Sequence, residues 1–264
     1  MKSNAEFSVS KAKRSPLKAK PLRNPGQSLD EQIHDLIEDR IGGPILFAMF
    51  TVILAGLEWW RYYYPQTPAP RLYSLVAVVV IVYAAFRVYR TVPRLRALKL
   101  GRDGEKVVGQ FLESLRERGY RVFHDIVGER FNIDHVLIGP AGVFTIETKT
   151  YRKPASRDAT IVFDGEAISV DGYTRERDPV IQAKAQASWL RELLAESTGR
   201  KFAIRPVIVY PGWFIKNTGP RQRAMWVLES KSLPAFLNHE PQQLSPEDLS
   251  LVSFHLSRFV RTSY

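Results

Sequence analysis

Two stretches of this chain carry no charged side chain, and they limit its architecture more than any other feature. Ile41 to Leu57 is a run of 17 residues and Leu72 to Phe86 is a run of 15. A helix rises about 1.5 Å per residue and a bilayer's hydrocarbon core is about 30 Å thick, so each run needs its flanks to cross. The flanks have suitable chemistry. Trp59, Trp60, Tyr62, Tyr63 and Tyr64 follow the first run as an interfacial belt would, and Arg87 and Arg90 can snorkel at the end of the second. Pro65, Pro68 and Pro70 between them suit a short loop. Residues 41–90 are therefore expected to form two transmembrane helices. The alternative is a helical hairpin buried inside a soluble protein.

Charge sets the expected orientation. Lys and Arg are dense before the first run, from Lys11 to Arg23 and at Arg40, and again after the second, from Arg87 to Arg102. The connection holds only Arg61 and Arg71, so both chain ends are expected on the cytoplasmic side of a cell (inner) membrane. The formal net charge of +11 has less to say about partners. Residues 1–100 carry 15 Lys and Arg against 7 Asp and Glu, whereas residues 101–264 carry 23 against 20, so most of the excess lies outside the C-terminal segment.

Residues 1–27 are rich in Lys, Ser and Pro and are expected to be a disordered basic tail. The first apolar run starts too far into the chain for a cleaved signal peptide. Over residues 28–40, Leu29, Ile33 and Ile37 recur at helical spacing, with Ser28 and Glu31 as an expected capping box. The polar side of that helix is acidic, so it should pack on protein rather than on anionic lipid. The absence of cysteine excludes disulfides and cysteine-ligated zinc or iron–sulfur sites. His34, His124, His135, His239 and His255 are too scattered to spell a histidine-rich metal site.

From Gly101 onward the pattern is mixed α/β. A helical stripe runs over 103–118, a short strand follows at 120–123, and a hairpin follows that. Thr160–Phe163 and Ala167–Val170 flank Asp164-Gly165-Glu166 as a second hairpin. Asp178-Pro179 opens a helix that should stop before Gly199. Strands at 203–210 and 224–228 and a last amphipathic helix from Ser245 to Val260 complete the domain.

The first hairpin, from Asp134 to Lys149, carries the chemistry. Two alternating apolar runs flank the turn Gly139-Pro140-Ala141-Gly142. If Ile138 pairs with Val143, Asp134 falls opposite Glu147 on one face, and Lys149 points to that face too. Opposed like charges destabilise a strand pair unless something neutralises them. A divalent cation between the carboxylates, with an ammonium beside it, would do so and would form the core of a metal-dependent phosphodiesterase site. The plain alternative is a salt-bridged cluster of Asp134, Lys149 and Glu147 without chemistry. His135 points to the opposite face and is not expected to be a ligand. Arg152, Lys153, Arg157, Arg175 and Arg177 are candidate phosphate contacts or, equally, solvated surface charge.

Gly101-Arg102-Asp103-Gly104-Glu105-Lys106, Phe123-His124-Asp125, the run Ile133 to Gly139 and the run Gly142 to Lys149 together resemble the nuclease-related domain, NERD, over roughly residues 101–210. The resemblance implies a restriction-endonuclease-like α/β core, a mixed sheet flanked by helices, here preceded by the transmembrane hairpin and completed by residues 211–264. It implies a PD-(D/E)xK-type site with Asp134 as the D and Glu147-Thr148-Lys149 as the ExK; Ile133 stands where the motif name has proline. Asp134 and Glu147 would ligate Mg²⁺ or Mn²⁺, Lys149 would orient water or stabilise phosphate charge, and the partner would be nucleic acid, DNA before RNA. Related folds place a further acid on the first helix and a glutamine on the later one, which points to Glu105 as a third metal ligand and, of Gln182 and Gln186 on one helical face, to Gln182 first. Each also has an ordinary reading: a first-turn glutamate favoured by the helix dipole, and a solvated polar residue. The expected activity is a membrane-anchored nuclease, the alternative a non-catalytic binding module.

Overall fold

The computed structural model describes residues 22–64, 69–128, 131–152, 160–170, 173–174, 179–219 and 224–262. Lys153, Arg157, Arg175, Arg177 and Asp178, together with the tail 1–21, lie outside the described residues. In chain order the helices are α1 (Gln27–Ile37), α2 (Gly43–Tyr63), α3 (Pro70–Glu113), α4 (Pro179–Thr198), α5 (Leu233–His239) and α6 (Pro246–Thr262). The strands are β1 (Arg121–Val127), β2 (Asn132–Gly139), β3 (Gly142–Thr148), β4 (Thr160–Phe163), β5 (Ile168–Val170), β6 (Tyr173–Thr174), β7 (Ile204–Val209), β8 (Phe214–Asn217) and β9 (Trp226–Leu228). The short elements β6, β8 and α5 were not legible in the sequence.

The apolar runs lie on α2 and α3, which pack against each other. A π-helical turn, Glu38–Gly42, joins α1 to α2 without a break. The 21 residues of α2 span about 31 Å, one hydrocarbon thickness. Both helices are long and apolar enough to cross a membrane, and only 11% of each apolar window is buried in protein. Among the described residues, the apolar faces of these two helices are thus largely left uncovered by protein.

No helix end separates the second apolar run from the stripe over 103–118. The second apolar run and the first helix of the C-terminal domain are one 44-residue helix, α3, with Pro93 inside it. Pro93 removes one backbone hydrogen bond and Gly101 costs about 1 kcal/mol of helix propensity. Good helix formers on either side, and packing against α1, outweigh both. The helix ends in a tight turn, Ser114–Arg118, and Gly119 closes it.

Strands β1, β2 and β3 form an antiparallel meander; β7 then adds parallel to β3, and β9 parallel to β7. A second sheet has the order β6-β5-β4-β8. The main sheet is covered on both faces. Val108, Leu112, Leu137, Ile146 and Leu237 pack together on the side of α3 and α5. Val136, Val143, Ala187, Leu190 and Leu256 do so on the side of α4 and α6. All of β3 is buried, so any charge it carries must find a partner inside the fold.

Candidate active site

The β2–β3 register pairs Ile138 with Val143 and His135 with Ile146. One step further along, Asp134 meets Glu147, and the pleat turns both toward α4. The Asp134 carboxylate accepts the backbone N–H of Thr148 at 2.7 Å. Glu147 is more crowded. Lys149 Nζ donates to its Oε1 at 2.5 Å and Gln182 Nε2 to the same oxygen at 2.8 Å, while Gln186 Nε2 donates to Oε2 at 2.6 Å. Lys149 also donates to Gln182 Oε1 at 2.9 Å, and Gln186 to the carbonyl of Asn132 at 2.8 Å.

Both glutamines come from α4, where residues four apart share a face. The sequence reading favoured Gln182. Gln186 is the more enclosed, at 1% exposure, and holds the second Glu147 oxygen. A signal for it was available: Gln186 falls within the buried stripe Ala183, Ala187, Leu190 and Leu194, where a polar residue needs a partner.

Glu105 reaches the same region from α3. A Cβ at Gly104 would lie 2.0 Å from Thr150 Cγ2, so this position lets the helix run directly over the end of β3. Burial, then the charges of Asp125 and Glu147, push the Glu105 carboxyl up to about 8. Asp134 is deeply placed though not sealed from solvent; burial first, then Glu147 and Glu105, hold it well above the usual carboxylate range. Burial acts to lower Lys149, but Glu147 and Asp134 outweigh it and raise the ammonium above its ordinary value.

A further acid belongs to this group and carried no assigned role in the sequence reading. The β1–β2 ladder pairs His124 with His135 and Ile126 with Ile133, which sets Asp125 opposite Asp134. Asp125, Asp134 and Glu147 thus form a row across three adjacent strands. Asp125 is buried and has φ +49°, unusual for a residue other than glycine. Arg23 and Ser28 hold its carboxylate. His135 lies on the reverse face, as its position in the strand required, and Arg152 is exposed.

Among the described residues, no three acidic or histidine side chains converge closely enough to hold a metal ion by themselves. Glu105 is a third acid beside the Asp134–Glu147 pair. That pair still fits Mg²⁺ or Mn²⁺, hard ions that bind through one or two carboxylates and fill the remaining positions with water and substrate oxygens. The burial and neighbouring carboxylates that push up Asp134 and Glu105 are the electrostatic imbalance a divalent cation relieves.

Residues 100–211 match the family model of the nuclease-related domain. The chain carries a NERD domain. The match takes in β1 to β3, α4 and β7, and so Glu105, Asp125, Asp134, Glu147, Lys149, Gln182 and Gln186; it leaves out α1, α2, α5 and α6. Over 85 residues the chain is 32% identical to an uncharacterized protein of Bacillus anthracis, a match covering 30% of this chain and 38% of that protein's length. No solved structure matches the chain. The order of the NERD core, a helix, a three-stranded meander, a helix and a parallel strand, is the order its sequence pattern implied.

Proposed function

We propose that this chain is a membrane-anchored, metal-dependent nuclease that hydrolyses phosphodiester bonds, in DNA before RNA, on the cytoplasmic side. The observation that carries this reading is the convergence of Asp134, Glu147 and Lys149 at one end of a NERD sheet, braced by two glutamines from α4. A bound Mg²⁺ or Mn²⁺ would supply charge stabilisation at the phosphate and a more acidic water. Asp134 and Glu147 are its proposed ligands, with Glu105 as a third that gives up its proton when the metal binds. Lys149 places an ammonium where charge develops on phosphate oxygens, and Gln182 fixes that ammonium. Gln186 fixes the Glu147 carboxylate. Membrane anchoring is supported by the exposed apolar faces of α2 and α3, and the cytoplasmic orientation by the basic residues that bracket the two helices.

The test is a cleavage assay of the full-length protein in detergent on single- and double-stranded DNA and RNA. Cleavage should require Mg²⁺ or Mn²⁺ and be lost in Lys149→Ala. Reporter fusions at residue 66 and at the C-terminus test the topology; a cytoplasmic residue 66 refutes the two-span arrangement. A second reading has one observation in its favour: both Glu147 oxygens already accept hydrogen bonds from protein side chains. As a non-catalytic module the domain would bind nucleic acid without metal, and Glu147→Ala would leave that binding unchanged.

A further inference from the structure

The family match begins at residue 100, yet the chain that grips the acid row comes from ahead of the first apolar helix. Arg23 Nε donates to Asp125 Oδ2 at 2.6 Å, with the two side chains only 9% and 3% exposed. Ser28 donates twice to the same carboxylate, from its N–H at 2.9 Å and from its hydroxyl at 2.6 Å. Asn132 Nδ2 in turn donates to Ser28 Oγ at 2.7 Å. The carbonyl of Asn132 receives Gln186, and Gln186 holds Glu147. A continuous chain of hydrogen bonds therefore runs from Arg23 to the central carboxylate.

The docking is close as well as polar. A Cβ at Gly109 would lie 2.6 Å from two atoms of the Pro25 ring, so α3 offers a notch into which this segment fits. Gly26, at φ +70°, sits against the backbone of Arg102. Asp30 then bridges α1 to Arg102 and Lys106 of α3. Those pairs are partly exposed and contribute little alone. The buried Asp125 pair dominates, because removing one partner of such a pair leaves an uncompensated charge.

We propose that residues 22–28 are a strap that completes the catalytic centre: it keeps Asp125 neutralised at the end of the acid row and, through Asn132, positions Gln186 against Glu147. This rests on the nuclease reading above for its consequence, though not for its geometry. Arg23 and Ser28 are positioning residues. Without Arg23, the Asp125 carboxylate would keep its Ser28 hydrogen bonds but stand as an uncompensated charge near Glu105. Because α1 continues directly into α2, the strap also ties the site to the first apolar helix, as α3 ties it to the second.

The experiment uses full-length protein in detergent micelles and compares Arg23→Ala, Ser28→Ala and Arg23→Lys with the parent by hydrogen exchange and by Mn²⁺-dependent cleavage. Loss of a buried charged hydrogen bond should speed exchange about tenfold at residues 131–135 and 182–190, with residues 204–209 unchanged. Arg23→Lys should recover part of the protection. Cleavage by Ser28→Ala should show kcat about tenfold lower with KM nearly constant, as loss of a positioning contact does. Unchanged exchange overturns the strap whatever the activity. A uniform rise across the whole domain also overturns it, since that is the mark of a purely structural role. A local rise in exchange, with no cleavage by the parent protein under either metal, supports the strap and sinks the nuclease reading instead.

Discussion

The two faces of the β1–β2 pair handle buried polar residues in opposite ways, although the residues concerned are sequence neighbours. On one face His124 meets His135, their Nδ1 atoms 2.9 Å apart. His124 Nε2 lies 2.8 Å from Glu113 Oε1. An ionised carboxylate only accepts, so His124 donates to Glu113 and accepts from His135. That fixes both tautomers and leaves His135 Nε2 as a lone pair with no partner among the described residues in an enclosed site. Burial, first for each, lowers the pKa of both rings. On the other face Asp134 and Glu147 set like charges opposite each other and keep an opening at Asp134. The two histidine rings are neutral and buried, as groups of a structural core are. The acid face holds charge at a cost to stability, as a site of chemistry does.

This comparison can be broken or sharpened by substitution. The largest effect is expected on the acid face, where Lys149→Ala or Glu147→Ala should lower cleavage about a hundredfold to a thousandfold, read as single-turnover rate. Gln186→Ala should cost about tenfold to a hundredfold, as loss of a ligand-orienting partner does. Gln182→Ala should cost less, because Lys149 still occupies the oxygen that Gln182 shares with it. Across the sheet, His135→Leu should cost about 1–3 kcal/mol of stability in chemical denaturation by removing the partner of His124 Nδ1, and should change the cleavage rate less than twofold.

The smallest effects lie in the pH dependence of metal-free stability, where the faces have opposite signs. Glu105 is raised from 4.5 to about 8, so between these values the folded protein holds a proton that the unfolded chain has lost. Its contribution is complete below about 4.5 and disappears as pH rises toward 8. Mg²⁺ should restore stability most at the alkaline end, and Glu105→Gln should flatten the trend. His124 and His135 lie below 6.5 when folded, so the unfolded chain takes up protons first and their contribution falls as pH drops below about 6.5. Thermal melts of the Glu105→Gln and His135→Leu proteins across pH 4 to 9 separate the two trends.

Local pattern made much of this centre readable in the sequence. Gly139-Pro140-Ala141-Gly142 between alternating runs pinned the β2–β3 register, and with it Asp134, Glu147 and Lys149. Contacts between residues far apart in the chain were harder to see. Arg23 lies in a stretch whose composition points to disorder, and its partner Asp125 is 102 residues away. Ser28 and Glu31 have the spacing of a capping box, yet the helix is capped at Gly26 without a side-chain bond; Ser28 turns to Asp125 and Glu31 to Arg23. The place of Asp125 in the acid row depends on the β1–β2 register and on a positive φ, neither of which composition specifies. The second apolar run and the stripe over 103–118 read as separate helices, but one helix joins them through Pro93 and Gly101.

The most direct measurement is single-turnover cleavage of labelled DNA by the full-length protein at saturating Mn²⁺, with Glu147→Gln and His135→Leu compared in parallel. The expected result is cleavage by the parent, a loss of about a hundredfold or more in Glu147→Gln, and a nearly unchanged rate in His135→Leu. Cleavage that survives Glu147→Gln, or that falls equally in both variants, would contradict the assignment of chemistry to the acid face.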